Sequence, residues 1–182
     1  MELLLPFRLP MKNKSESLSK STSFEYQWWD SGWLFKAYGD DLGLTSFDFS
    51  KKKKKVACQL MRQSQLPAYI VTLRKKIHRY LKGEKVSFLD TPLNLSKSPP
   101  FSRKVLLETK KIQWGKVVTY RELAKRAKSE GAARAVGNSM NKNPFLIIIP
   151  CHRVLRTDGS LGGFAKGLNI KKELLSLERI EK

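Results

Sequence analysis

Paired cysteines, metal-binding cysteine motifs and long apolar runs are all missing from this chain. Its two cysteines, Cys58 and Cys151, lie far apart and form no disulfide framework, which points to a reducing compartment. No Cys-x-x-Cys or Cys-x-x-Cys…His-x-x-x-His spacing occurs, so a structural zinc site has no support. No apolar run approaches the roughly 18 residues of a membrane span. The start, Met1-Glu2-Leu3-Leu4-Leu5-Pro6, is short and lacks the basic flank of a secretory signal. Acidic residues are scarce too: 16 Asp and Glu stand against 36 Lys and Arg, a net charge of +20. The excess is spread along the chain, 18 basic against 9 acidic groups in residues 1–100 and 18 against 7 in residues 101–182. Such a surface attracts polyanions by counterion release. Nucleic acid is the leading partner, an anionic membrane the second, and a merely lysine-rich surface the bland alternative.

What is present suffices for a core. The 182 residues, 41% hydrophobic, suit one large domain or two small ones. Residues 1–22 are polar and Ser/Lys-rich after their apolar start and are expected to form a flexible leader. Residues 23–90 are expected to be a small α/β domain. The aromatic run Trp33 to Tyr38, the turn signal Gly39-Asp40-Asp41 and the alternation Phe47-Asp48-Phe49 predict a hairpin or meander. Lys51 to Lys55 reads as a solvated charge run. A helix is predicted from Pro67, at its first position, to Lys82, with Ile70, Leu73, Ile77 and Tyr80 on one stripe and Gly83 as stop. His78 reads as a surface residue and Cys58 as a small packing residue.

Three prolines between Asp90 and Pro100 mark residues 91–100 as a linker. Residues 101–182 are then a second, mainly helical domain, giving an α+β chain overall. A helix is predicted over Ser102–Ile112. Thr119-Tyr120-Arg121-Glu122 has the pattern of a capping box and should open a helix over Tyr120–Ala127. The turn Ser129-Glu130-Gly131 leads to another, about Ala132–Met140. Helix, Gly-containing turn, helix is the outline of a helix-turn-helix, although most such pairs are plain hairpins. The second helix is unusual: Ala132, Ala133, Ala135, Gly137 and Ser139 are small, and Arg134 is its one long cation. Small side chains permit close approach to a partner; with the net charge, nucleic acid is favoured over tight helix packing. Leu146-Ile147-Ile148-Ile149 is predicted to be a short strand or extended segment ended by Pro150, followed at once by Cys151 and His152. A thiolate is the reactive form of cysteine, and a histidine can act as its base. Sequence neighbours do not normally face each other, so a bridging water between them is plausible.

Pro150-Cys151-His152-Arg153-Val154, preceded by that apolar run and by Asn143-Pro144, resembles the active-site signature of the O6-alkylguanine-DNA alkyltransferases. The resemblance extends to Phe101-Ser102-Arg103-Lys104-Val105, Gly115-Lys116-Val117-Val118-Thr119-Tyr120, Ala132-Ala133-Arg134-Ala135-Val136-Gly137 and Leu161-Gly162-Gly163-Phe164, covering about residues 100–180 in unbroken order. It implies a winged-helix-like helix-turn-helix entering the minor groove of duplex DNA. It also implies a flipped O6-alkylguanine, with O4-alkylthymine as a further substrate, and irreversible transfer of the alkyl group to Cys151. It makes His152 the water-linked base and Glu178 its orienting carboxylate. Glu178 lies four residues after Leu174, on the edge of a stripe with Ile170, and can point inward. By the same resemblance Tyr120 donates to the guanine ring, Asn143 braces the active-site turn, and Arg134 is the finger that fills the vacated stack. Ala132, Ala133, Ala135 and Gly137 approach the DNA. The Val154 carbonyl reads the guanine amino group, and Met140 and Phe164 line the pocket. Ala165 keeps only an amide where some relatives carry a hydroxyl, and Lys166 narrows the pocket or reaches toward phosphate. No metal or cofactor is expected. The chain should be a monomer without membrane association, located in the cytoplasm with the nucleoid, or in the nucleus of a eukaryote. The competing classes are an alkyltransferase-like lesion binder without the acceptor cysteine, a helix-turn-helix regulator, and a cysteine hydrolase, for which no strand–elbow–helix motif exists.

Overall fold

The computed structural model describes residues 23–52 and 66–181. The expected leader, Cys58 and the Lys53–Lys55 part of the charge run lie outside them. The aromatic alternation folds as expected into an antiparallel meander. It comprises β1 (Phe24–Asp30), β2 (Trp33–Asp40) and β3 (Gly43–Lys51), in the order β1-β2-β3. Period-2 patterning puts Trp28, Phe35, Phe47 and Phe49 on the buried face. Trp28 stacks on Phe35 at 5.2 Å between ring centres. Helix α1 (Ala68–Leu81) adds Ile70, Leu73, Ile77 and Tyr80 to the same core. Pro67 is the N-cap, with an extended ψ of 140°, one residue before the first helical position expected for it.

The proline-rich stretch after α1 lies along the sheet. Leu44 N donates to Pro92 O at 3.0 Å and Asn94 N to Leu44 O at 2.7 Å. Gly43 permits this: its φ is +135°, and a Cβ there would come within 2.7 Å of the Pro92 backbone. Helix α2 (Pro100–Lys110) starts two residues earlier than expected, because Pro100 fits the first turn, and ends before Ile112.

Strand β4 (Val118–Thr119) leads into α3 (Tyr120–Arg126) through the expected capping box. Thr119 Oγ1 accepts from Glu122 N at 3.1 Å, and Glu122 Oε2 accepts from Thr119 N at 2.6 Å. A turn with left-handed Lys128 and Gly131 connects α3 to α4 (Ala133–Asn141). Strand β5 (Val154–Leu155) pairs in parallel with β4 and ties the segment after Cys151 to the start of α3. Helix α5 (Leu168–Leu177) closes the chain. No helix among the described residues is long and apolar enough to cross a membrane.

One expectation fails. Residues 146–149 are neither a strand nor an extended segment but a turn. Phe145 bridges Phe47 of β3, and the chain then turns through left-handed Ile147 (φ 69°). Ile149 N donates back to Phe145 O at 2.8 Å. An all-apolar run fits any buried segment, and here the backbone donors close locally rather than on a neighbouring strand. The buried stripe of α5 is also shifted: Lys171, Leu174, Leu175 and Glu178 face inward, whereas Ile170 is only half-buried.

Candidate active site

The turn at 143–150 leads directly into Cys151. Asn143 braces it from inside, its Nδ2 donating to Ile149 O at 2.9 Å while its Oδ1 accepts from Phe145 N at 3.0 Å. The same Nδ2 lies 3.2 Å from Cys151 Sγ. Cys151–Arg153 form one 3-10 turn. Cys151 is 4% exposed, and burial pushes its thiol pKa up, opposed by the Asn143 hydrogen bond and the positive charge of Lys171. The resting sulfur is therefore a shielded thiol whose ionised form already has a donor aimed at it.

His152 is fully buried. Its Nε2 is 2.8 Å from Glu178 Oε1, and its Nδ1 has no hydrogen-bond partner among the described residues. Burial lowers the pKa of His152 and Glu178 raises it, with burial dominant, so the ring is neutral at rest. With Glu178 accepting, the proton sits on Nε2, which leaves Nδ1 as a free base site. Burial alone would raise the Glu178 pKa, but the hydrogen bonds and charges of His152 and Arg153 outweigh it and pull the carboxyl down to about 2.

Sequence reading missed three groups. Arg153 donates to both Glu178 oxygens, Nε at 2.7 Å and Nη2 at 2.9 Å, and anchors itself on Ile112 O through Nη1. Tyr80 of α1 donates to Glu178 Oε1 at 2.8 Å. A tyrosine ending an aliphatic buried stripe was a usable signal, since a buried hydroxyl needs a partner. Lys171 is fully buried, and its Nζ donates to Val154 O at 2.7 Å and also to Leu161 O. Burial lowers its pKa to about 8, opposed by Cys151. Its signal was the spacing 171, 174, 175, 178, which puts a charged residue at each end of one buried face.

Cys151 opens onto a cleft of about 570 Å³ that also touches Tyr120, Arg134, Gly137, Met140 and Phe164. Ala133 lines it as well. Its cations are Arg121, Arg134 and Arg156, and no carboxylate lines it. Tyr120 is half-buried at the start of α3; burial and then the Cys151 charge push its pKa up. Gly162 is required here: φ is +64°, and a Cβ would sit 3.0 Å from the Tyr120 hydroxyl. The remaining expected residues fall elsewhere. Ala132 caps α4 and Ala135 is exposed on it, neither touching the cleft. Val154 is buried behind it, with its carbonyl already accepting from Lys171. Ala165 is exposed outside it, and Lys166 ion-pairs with Asp48 at 2.7 Å rather than entering the cleft. A second cleft of about 570 Å³ beside Lys104, Leu107 and Arg126 shares none of these residues and is lined by no cysteine, serine or threonine.

A buried thiol next in sequence to a buried His–Glu pair, opening between the two helices of a helix-turn-helix, defines a class: a cysteine mounted on a nucleic-acid-binding scaffold. The model of the 6-O-methylguanine DNA methyltransferase DNA-binding domain matches residues 100–180. The methylated-DNA–protein-cysteine methyltransferase of Haemophilus influenzae is 37% identical over 141 residues, 78% of either chain. That of Metallosphaera sedula is 42% identical over 108 residues, 59% of this chain and 67% of its own. The crystal structure of the Mycobacterium tuberculosis O6-methylguanine methyltransferase superposes with a TM-score of 0.68 at 28% identity, covering 87% of this chain and 93% of that one. The chain belongs to the methylated-DNA–protein-cysteine methyltransferase family.

Proposed function

We propose that this protein repairs O6-alkylguanine in duplex DNA by transferring the alkyl group, once, to Cys151. The observation that carries the reading is the shared cleft: the Cys151 thiol and the Arg134-bearing face of α4 open into one cation-lined space. The Mycobacterium tuberculosis relative, whose structure in complex with DNA superposes with a TM-score of 0.65 at 29% identity, supports DNA as the partner.

In this mechanism α4 lies in the minor groove and Arg134 occupies the stack left by the flipped base, whose extrusion costs a few kcal/mol. The Cys151 proton passes through water to Nδ1 of His152, and Glu178 stabilises the imidazolium on its other nitrogen. The thiolate attacks the alkyl carbon, forming S–C as the C–O6 bond breaks. The electron pair leaves on guanine, and Tyr120 donates the proton that neutralises it. Met140 and Phe164 pack the alkyl group. A thioether has no leaving group that these residues could activate, so each molecule acts once. O4-alkylthymine fits the same attack.

Residues 23–90 and 101–182 serve as two units joined through 91–100, acting as a monomer in the cytoplasm with the nucleoid, or in the nucleus of a eukaryotic host. Peptide masses after incubation with duplex DNA containing O6-methylguanine test the reading. The Cys151 peptide should gain one methyl group, and Cys151→Ala should bind the lesion without gaining it. Binding without transfer by the wild-type chain would favour a non-enzymatic lesion binder or a regulator instead.

A further inference from the structure

Strand β3 holds, through adjacent residues, the turn that leads to Cys151 and the loop that carries Phe164. The backbone of Phe47 grips the turn that carries Cys151: Phe47 N donates to Pro144 O at 2.7 Å and Leu146 N to Phe47 O at 3.0 Å. The next side chain, Asp48, holds the opposite loop. Lys166 Nζ lies 2.7 Å from Asp48 Oδ1 and 2.8 Å from Oδ2. Lys166 is two residues after Phe164, which lines the cleft with Cys151.

That loop has little stiffness of its own. Residues 156–167 include Gly159, Gly162, Gly163 and Gly167. Several of its backbone bonds close on the loop itself, as in Arg156 N to Ser160 O and Gly167 N to Phe164 O. Lys171 fixes the Leu161 carbonyl from behind, before the cleft-lining residues. Beyond it, the Lys166–Asp48 pair is the one ion pair that ties this stretch to another element among the described residues.

We propose that the Asp48–Lys166 pair is a latch that fixes the position of Phe164 relative to Cys151 and so limits the size of alkyl group accepted. The inference rests on the repair reading above. Asp48 and Lys166 touch neither the sulfur nor its relay; they are positioning residues. Releasing either end frees the glycine-rich wall, and groups larger than methyl gain access.

The test is transfer from the free bases O6-methylguanine and O6-benzylguanine to the full chain, so that loss of a cation near DNA plays no part. Asp48→Ala and Lys166→Ala should each raise the benzyl-to-methyl rate ratio by about two- to five-fold, the range an exposed ion pair supports. The double variant should shift no further than either single one, and the charge reversal Asp48→Lys with Lys166→Asp should return the ratio toward wild type. Raised salt should move the wild-type ratio and leave the double variant unmoved. An unmoved ratio in Lys166→Ala, or single effects that add in the double variant, overturns the latch and leaves the repair reading standing. Failure of the wild-type chain to take up methyl from duplex DNA containing O6-methylguanine overturns the repair reading and the latch with it.

Discussion

Glu178 is the residue on which the buried network converges. It accepts from His152, from Arg153 twice and from Tyr80, all out of contact with water. Its pKa is depressed to about 2 in the folded protein. A depressed carboxyl stabilises the fold above its unfolded value of about 4.3, and that contribution is lost as pH falls through the folded value. Acid unfolding should therefore carry a Glu178 component between about pH 4 and 2 that Glu178→Gln removes. The same substitution leaves Arg153 buried without its counter-charge and should cost about 3–5 kcal/mol in denaturant titration. Lys171 works in the opposite range. Its ammonium favours the Cys151 thiolate and is lost as pH rises through about 8. Lys171→Met should move the pH midpoint of Cys151 alkylation by a small alkylating probe upward; an unchanged midpoint would show that the cation does not act on the sulfur.

At the scale of elements, local signals did most where they were chemically complete. The capping box at Thr119 and Glu122 specifies both partners of a reciprocal hydrogen-bond pair, and it fixed the start of α3 correctly. The meander followed from aromatic alternation, and the stripe of α1 from spacing. What sequence could not show was direction without periodicity. Leu146 to Ile149 are apolar throughout, so nothing in them distinguishes a strand from the turn that Asn143 and left-handed Ile147 build. Arg153, Lys171 and Tyr80 were hidden because their partners lie 25, 17 and 98 residues away. Four of the expected site residues form two buried pairs, Asn143 with Cys151 and His152 with Glu178, joined by the adjacency of Cys151 and His152 in the chain. The Gly162 approach to Tyr120 is a contact between elements with a direct test. Gly162→Ala places a methyl against the Tyr120 hydroxyl at a left-handed φ. Repair should slow at least tenfold, with denaturant stability falling by about 1–2 kcal/mol. Wild-type repair in this variant would mean that Tyr120 does not hold the position seen here.

For the whole molecule, charge and chemistry separate cleanly. In the proposed mechanism a net charge of +20 gathers DNA, while the buried His152–Glu178 pair acts on the alkyl transfer. Binding to duplex DNA should weaken about tenfold or more between 50 and 200 mM salt as counterions compete for the phosphates. Methyl transfer from free O6-methylguanine should barely change over the same range, because Cys151 is shielded from solvent and a methyl group does not need the cleft wall to move. The central claim is single use. Repaired guanine should be titrated against protein with duplex O6-methylguanine in large excess, followed to completion. The expected result is a plateau at one guanine restored per molecule, with the methyl group recovered on Cys151. Continued repair beyond one equivalent would contradict it.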